Sequence, residues 1–221
     1  MCKKLIFVLV MLVIAMPASA LITYVDAVVP TDVGNSSPAT ATASGTDDLW
    51  RTRTGFANGG TIYEAGGIYG ETSNPEDCLR LLTKIVVPAN PNGEGYDVYA
   101  YFWSDTSNTW RIGASLTNDA VLPLYIANTA PVTQAVASDF NSAVLVAEGN
   151  RLMWQAYLGI VGVGVTTGDV TIKAYIDDDA AHMHHNLRTW YDGIGYEPVP
   201  EPTTVALLGL GGLALLRKKR A

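Results

Sequence analysis

Short apolar stretches separated by turn residues recur through the middle of the chain, and in the longer ones apolar and polar positions alternate. In 151–161, Leu152, Trp154, Ala156, Leu158 and Ile160 share one face, and Arg151, Met153, Gln155 and Tyr157 the other. In 170–176, Val170, Ile172, Ala174 and Ile176 oppose Thr171, Lys173 and Tyr175. A period of two sends successive side chains to opposite faces of an extended chain, so each stretch predicts a strand with one buried and one wet face. Shorter runs predict further strands at 61–64, 79–87, 96–103, 110–112, 121–126, 143–147 and 189–196, with turns such as Asn90-Pro91-Asn92-Gly93-Glu94-Gly95 between them. The segment 26–48, rich in Thr, Ser, Ala, Gly and Pro, reads as an irregular arm or weak edge strand.

Roughly eight to ten short strands without a helical period predict an all-β body, an antiparallel two-sheet β-sandwich. A strand count above the usual ~7 favours a jelly-roll-like topology over an immunoglobulin-like one. The stretches 79–87 and 96–103 are expected to pair as a hairpin.

Both ends of the chain break this pattern. Residues 1–20 have a basic start (Lys3, Lys4), an apolar run from Leu5 to Met16, and Ala18-Ser19-Ala20, with small residues at Ala18 and Ala20. This is a signal peptide cut by signal peptidase after Ala20. At the other end Pro200-Glu201-Pro202 precedes 14 uncharged residues, Thr203 to Leu216, followed by Arg217-Lys218-Lys219-Arg220. The two prolines hold the chain extended and forbid a helix or central strand through the motif. As a helix the apolar run would measure about 21 Å, short of the ~30 Å hydrocarbon core. Basic residues beside an apolar run stay cytoplasmic. The expectation is therefore a C-terminal transmembrane helix at about 203–216, body outside and Arg217–Arg220 inside.

These three parts resemble the PEP-CTERM sorting tail of Gram-negative bacteria in order and spacing. The resemblance implies recognition by an exosortase, a membrane-embedded cysteine protease that cuts near the Pro-Glu-Pro and releases or transfers the body. Two lysines interrupt the basic cluster and Gly209, Gly211 and Gly212 dilute the apolar run, but the match stands. The chain then divides into a signal peptide (1–20), an extracellular β-sandwich (21–197) and a sorting tail (198–221), with Glu197 to Pro202 as an accessible linker.

Removing both terminal addresses takes six of 14 basic residues and one of 21 acidic ones, leaving 8 against 20 and a net charge of −12. Such a body is a poor partner for nucleic acid. Only Cys78 survives processing, so the exported domain has no internal disulfide.

Two stretches could carry chemistry. In 96–103 alternation puts Tyr99, Tyr101 and Trp103 on one face; exposed, they would form a platform for stacking sugar rings, and buried, they would fill a core. In 177–185, Asp177 and Asp179 offer oxygens to Ca²⁺, and His182, His184 and His185 suit a transition metal, but neither set has an established ligand order, and the stretch reads first as a solvated loop between the last two strands. No cofactor is expected. Gly113-Ala114-Ser115-Leu116-Thr117 lacks the second glycine of a nucleophile elbow, and Gly162-Val163-Gly164 with Gly168 lacks the spacing of a dinucleotide fingerprint. The expectation is a cell-surface or extracellular-matrix protein without catalytic activity. Its partners would be signal peptidase, an exosortase, the inner membrane through its tail, and extracellular polysaccharide. A carbohydrate-binding module using the Tyr99, Tyr101, Trp103 face is the alternative.

Overall fold

The computed structural model describes residues 20–27, 50–54, 61–65, 80–107, 109–178 and 188–201. Among these lie β1 (Thr23–Asp26), β2 (Arg51–Thr54), β3 (Thr61–Ala65), β4 (Leu81–Pro88), β5 (Tyr96–Asp105), β6 (Arg111–Ser115), β7 (Leu124–Ile126) and β8 (Thr133–Gln134). A short 3-10 turn (Ala137–Asp139) follows, then β9 (Ala147–Glu148), β10 (Arg151–Val161), β11 (Asp169–Asp177) and β12 (Thr189–Pro198). The strands pair antiparallel in two sheets. The larger runs β2-β3-β12-β5-β10-β8, with β1 also on β12 and β9 on β10; the smaller runs β4-β11-β6-β7.

The all-β, two-sheet expectation holds, but the hairpin between 79–87 and 96–103 does not form. β4 pairs with β11, from Leu81 opposite Ile176 to Pro88 opposite Asp169, while β5 lies at the centre of the other sheet. The 89–95 turn therefore carries the chain across the core. Alternation reports which face of a strand is buried; it says nothing about which sheet the strand joins.

The main core fills the space between the sheets. β4 contributes Leu81, Ile85 and Val87 and β11 contributes Val170, Ile172, Ala174 and Ile176, the face that alternation selects. Opposite them stand Tyr96, Val98, Ala100 and Phe102 of β5 with Tyr191 and Ile194 of β12. Each large aliphatic side chain so buried contributes roughly 1.5–3 kcal/mol. In β10 the period is broken. The register slips between Tyr157 and Gly159, so Val161 turns to the core and Ile160, expected on that face, is 46% exposed. One extra residue in a strand reverses the facing of everything beyond it.

The larger sheet is covered on its other face as well. Tyr101, Trp103, Met153, Ile62 and Trp190 form a second cluster, closed by Ile22, Trp110, Phe140 and Val144. Ring contacts lock it: Tyr101 to Phe140 at 5.4 Å, Tyr24 to Tyr101 at 5.7 Å and Trp110 to Trp190 at 4.5 Å between centroids. The chain around Phe140 is tied down by backbone bonds from Ile22 to Asp139 and from Asn141 to Ile22.

Among the described residues no helix is long and apolar enough to cross a membrane. The apolar run 203–216 lies outside the described residues, as do Ala18, Pro202, Arg217–Arg220, Cys78 and nearly all of the 26–48 segment.

Candidate sorting and processing site

The last strand leads into the tail, and its end is held more firmly than its polar sequence suggests. β12 pairs with β5 to its final residue, Glu197 opposite Asp97 and Pro198 opposite Tyr96. One residue on, the Val199 amide donates to the Gly95 carbonyl at 3.0 Å. The Asn92 side-chain amide donates to the Val199 carbonyl at 3.2 Å. The Asn90 amide, on a buried side chain, donates to the Gly95 carbonyl at 2.8 Å and reaches the Val199 carbonyl at 3.5 Å.

The residue types of the 89–95 turn explain this grip. The Asn92 side-chain oxygen accepts the Glu94 amide at 2.9 Å, an Asx turn that leaves its NH₂ free to reach outward. Gly95 has φ +83°, and a Cβ there would run into the Val161 carbonyl. The Gly164 amide donates to the Gly93 carbonyl at 2.7 Å, bracing the turn against the neighbouring loop. The expected accessible linker Glu197–Pro202 is thereby corrected: Glu197 and Pro198 belong to β12 and Val199 is bound to the turn. Pro200 and Glu201 are exposed.

Side chains pin the same stretch. The Tyr99 hydroxyl donates to Glu197 at 2.8 Å and the Tyr157 hydroxyl to Asp97 at 2.7 Å, with the two rings 5.5 Å apart. Burial, aided by the Asp97 bond, pushes the Tyr157 hydroxyl up to about 12. Burial also raises the Glu197 carboxyl, which the Tyr99 bond partly offsets. Both hydroxyls therefore remain donors at neutral pH.

Higher on β12 the register slips between Tyr191 and Gly193, leaving Asp192 as the extra residue of a bulge. Its carbonyl accepts the Ala27 amide at 2.8 Å and the Tyr24 hydroxyl at 2.9 Å, which anchors β1. Its carboxyl is wholly buried, beside the Trp103 and Tyr24 side chains. Burial, reinforced by the charge of Asp26 and only partly offset by Trp103 and Tyr24, pushes it up to about 8.

Of the two readings of the β5 aromatics, core filler and exposed platform, the structure shows the first for Tyr101 and Trp103. Tyr101 and Trp103 have no exposure and sit in the second cluster, while Tyr99 is half-buried with its hydroxyl committed to Glu197. No exposed strip of Tyr99, Tyr101 and Trp103 exists for stacking sugar rings. Of the metal candidates, Asp177 pairs with Arg80 at 3.0 Å, while Asp179, His182, His184 and His185 lie outside the described residues. Among the described residues no group of three metal-ligating side chains comes together. Ala20 precedes β1.

Asn90 and Asn92 carried no functional expectation. Their turn is legible in Asn-Pro-Asn-Gly, but the strand end that it grips lies 107 residues from Asn92.

A family model of the PEP-CTERM protein-sorting motif matches residues 198–220. The chain carries a PEP-CTERM sorting motif. The matched stretch takes in Pro200-Glu201-Pro202, the apolar run and Arg217–Arg220, and it starts inside the fold, at the last residue of β12. The motif implies export, membrane-associated sorting and an exosortase as processing partner. No curated protein and no solved structure matches the chain.

Proposed function

We propose that this chain is an exported, non-catalytic protein of the cell surface or extracellular matrix. Its tail holds it briefly in the inner membrane, an exosortase cuts at the Pro-Glu-Pro, and the body goes to the envelope or the surrounding polysaccharide. The observation that carries this is the sorting motif at 198–220, which begins at the last residue of the final strand of a folded domain. A signal peptide at 1–20 and a body charge of −12 agree with export. The absence of a catalytic role rests on the sequence, which has no nucleophile elbow and draws its three histidines from 182–185.

We read the body as a jelly roll. Leaving aside the short edge strands, β3-β12-β5-β10 faces β4-β11-β6-β7, and most successive strands alternate between the sheets.

The test is to express the full chain in a Gram-negative host with an active exosortase and in the same host lacking it. Mass spectrometry should find the tail lost and the body outside the inner membrane only in the first. Retention of Ala221 in both would sink the proposal.

A further inference from the structure

The motif match and the fold overlap at Pro198 and Val199, and the overlap bears on where the chain can be cut. A protease must draw its substrate into an extended stretch and polarise one carbonyl. Through Pro198 the backbone is committed to β5, and the next residue is held at both of its polar groups, its amide by Gly95 and its carbonyl by Asn92. Among the described residues no hydrogen bond ties Pro200 or Glu201 to the body, and both are exposed.

We propose that the Asn90–Gly95 turn, by holding Val199, sets the upstream limit of processing, so that the scissile bond is Pro200–Glu201 or one beyond it. This rests on the proposed exosortase processing. Cleavage breaks the C–N bond: the acyl carbon goes to water, giving a carboxylate, or to an acceptor amine, giving a new amide, and the tail leaves as an amine bearing the added proton. The cut body keeps β12 whole, with its pairing to β5 and β1. The clamp also sets a short tether. Four residue steps separate Val199 from Thr203, where the apolar run begins, a reach of at most about 14 Å. The uncut body therefore lies against the membrane, and the enzyme works in that gap.

The test uses the full chain in a Gram-negative host with an active exosortase, reading the C-terminus of the processed body by mass. Wild-type chains should end at Pro200 or later; an end at Val199 or upstream overturns the inference. A chain that keeps Ala221 in a host that trims its own sorted proteins overturns the processing itself, and the cut position with it. Asn92→Ala, and Asn90→Ala with it, should shift part of the product to ends at or before Val199, with loss of amide-exchange protection at Val199 but not along the rest of β12. Ends identical to wild type in a variant whose Val199 amide has lost protection would show that the clamp does not set the limit. A double variant that loses protection throughout β12 is replaced by Asn92→Ala alone, in which the Asn90 bond to Gly95 remains.

Discussion

Thr23 in β1 stands directly opposite Tyr196 in β12, so the first and last strands of the body lie side by side and antiparallel. The start of β1 and the end of β12 consequently lie at the same end of the sandwich. A strand that pairs with one some 170 residues later in the chain cannot find its place until the last strand is present.

That pairing depends on a glycine. Gly193 has φ +152°, and a Cβ there would run into the Val25 carbonyl. Gly193→Ala should lower stability by about 2 kcal/mol or more, since it combines a strained φ with a backbone clash. Urea unfolding measures the loss, and hydrogen exchange in β1 should rise more than in β4. Equal protection of β1 in variant and wild type would contradict the role assigned to this residue.

Asp192 should make stability fall with rising pH. Its carboxyl keeps its proton up to about 8 in the folded chain, against an ordinary value of 3.8. Between these values the unfolded chain has released a proton that the folded chain retains, so the stability present below about pH 4 is lost as pH rises through about 8. The slope approaches about 1.4 kcal/mol per pH unit from this group. Asp192→Asn should flatten the profile over that range and leave the variant the more stable at pH 8, as unfolding at several pH values will show.

Trp103 and Tyr157 separate a core role from a surface one. Trp103 has no exposure and Tyr157 is 45% exposed. Trp103→Ala should cost about 3–5 kcal/mol, as for other buried aromatics. Tyr157→Ala should cost about 1 kcal/mol or less, mainly its bond to Asp97. Chemical denaturation distinguishes them, and similar losses would refute the second core.

Arg188 and Glu64 form an ion pair at 2.6 Å with 10% and 8% of their side chains exposed, at the start of β12 and on β3. Removing one partner takes the nearest opposite charge from the other in a poorly solvated place. Arg188→Ala should therefore destabilise by about 3 kcal/mol, and Glu64→Gln with Arg188→Met by much less. A double-mutant cycle in urea reads the difference.

What could be seen in the linear chain was local. The strands β10 and β11 announced themselves by alternating apolar and polar positions, β4, β5 and β12 as apolar and aromatic runs bounded by turn residues, and the tail because its parts lie within 23 residues. β1 was invisible: four residues, Thr23-Tyr-Val-Asp, carry too little period to mark a strand. The bulges at Leu158 and Asp192 were equally hidden, because an inserted residue changes the register against a partner without changing the composition of the strand.

The candidate site divides along the same line. Pro200-Glu201-Pro202 and the basic end are recognisable from residue types alone, since an apolar segment with charged flanks acts on a membrane whatever the fold of the body. The burial of Tyr101 and Trp103, the Asp192 carboxyl beside Asp26, and the hold of Asn92 on Val199 came only from packing. Each joins residues roughly 40 to 170 positions apart, and burial of the second face depends on a crossing segment with little regular structure. Short-range pattern thus specified the address and most of the strands, while long-range contact decided which faces are covered and where the folded body stops.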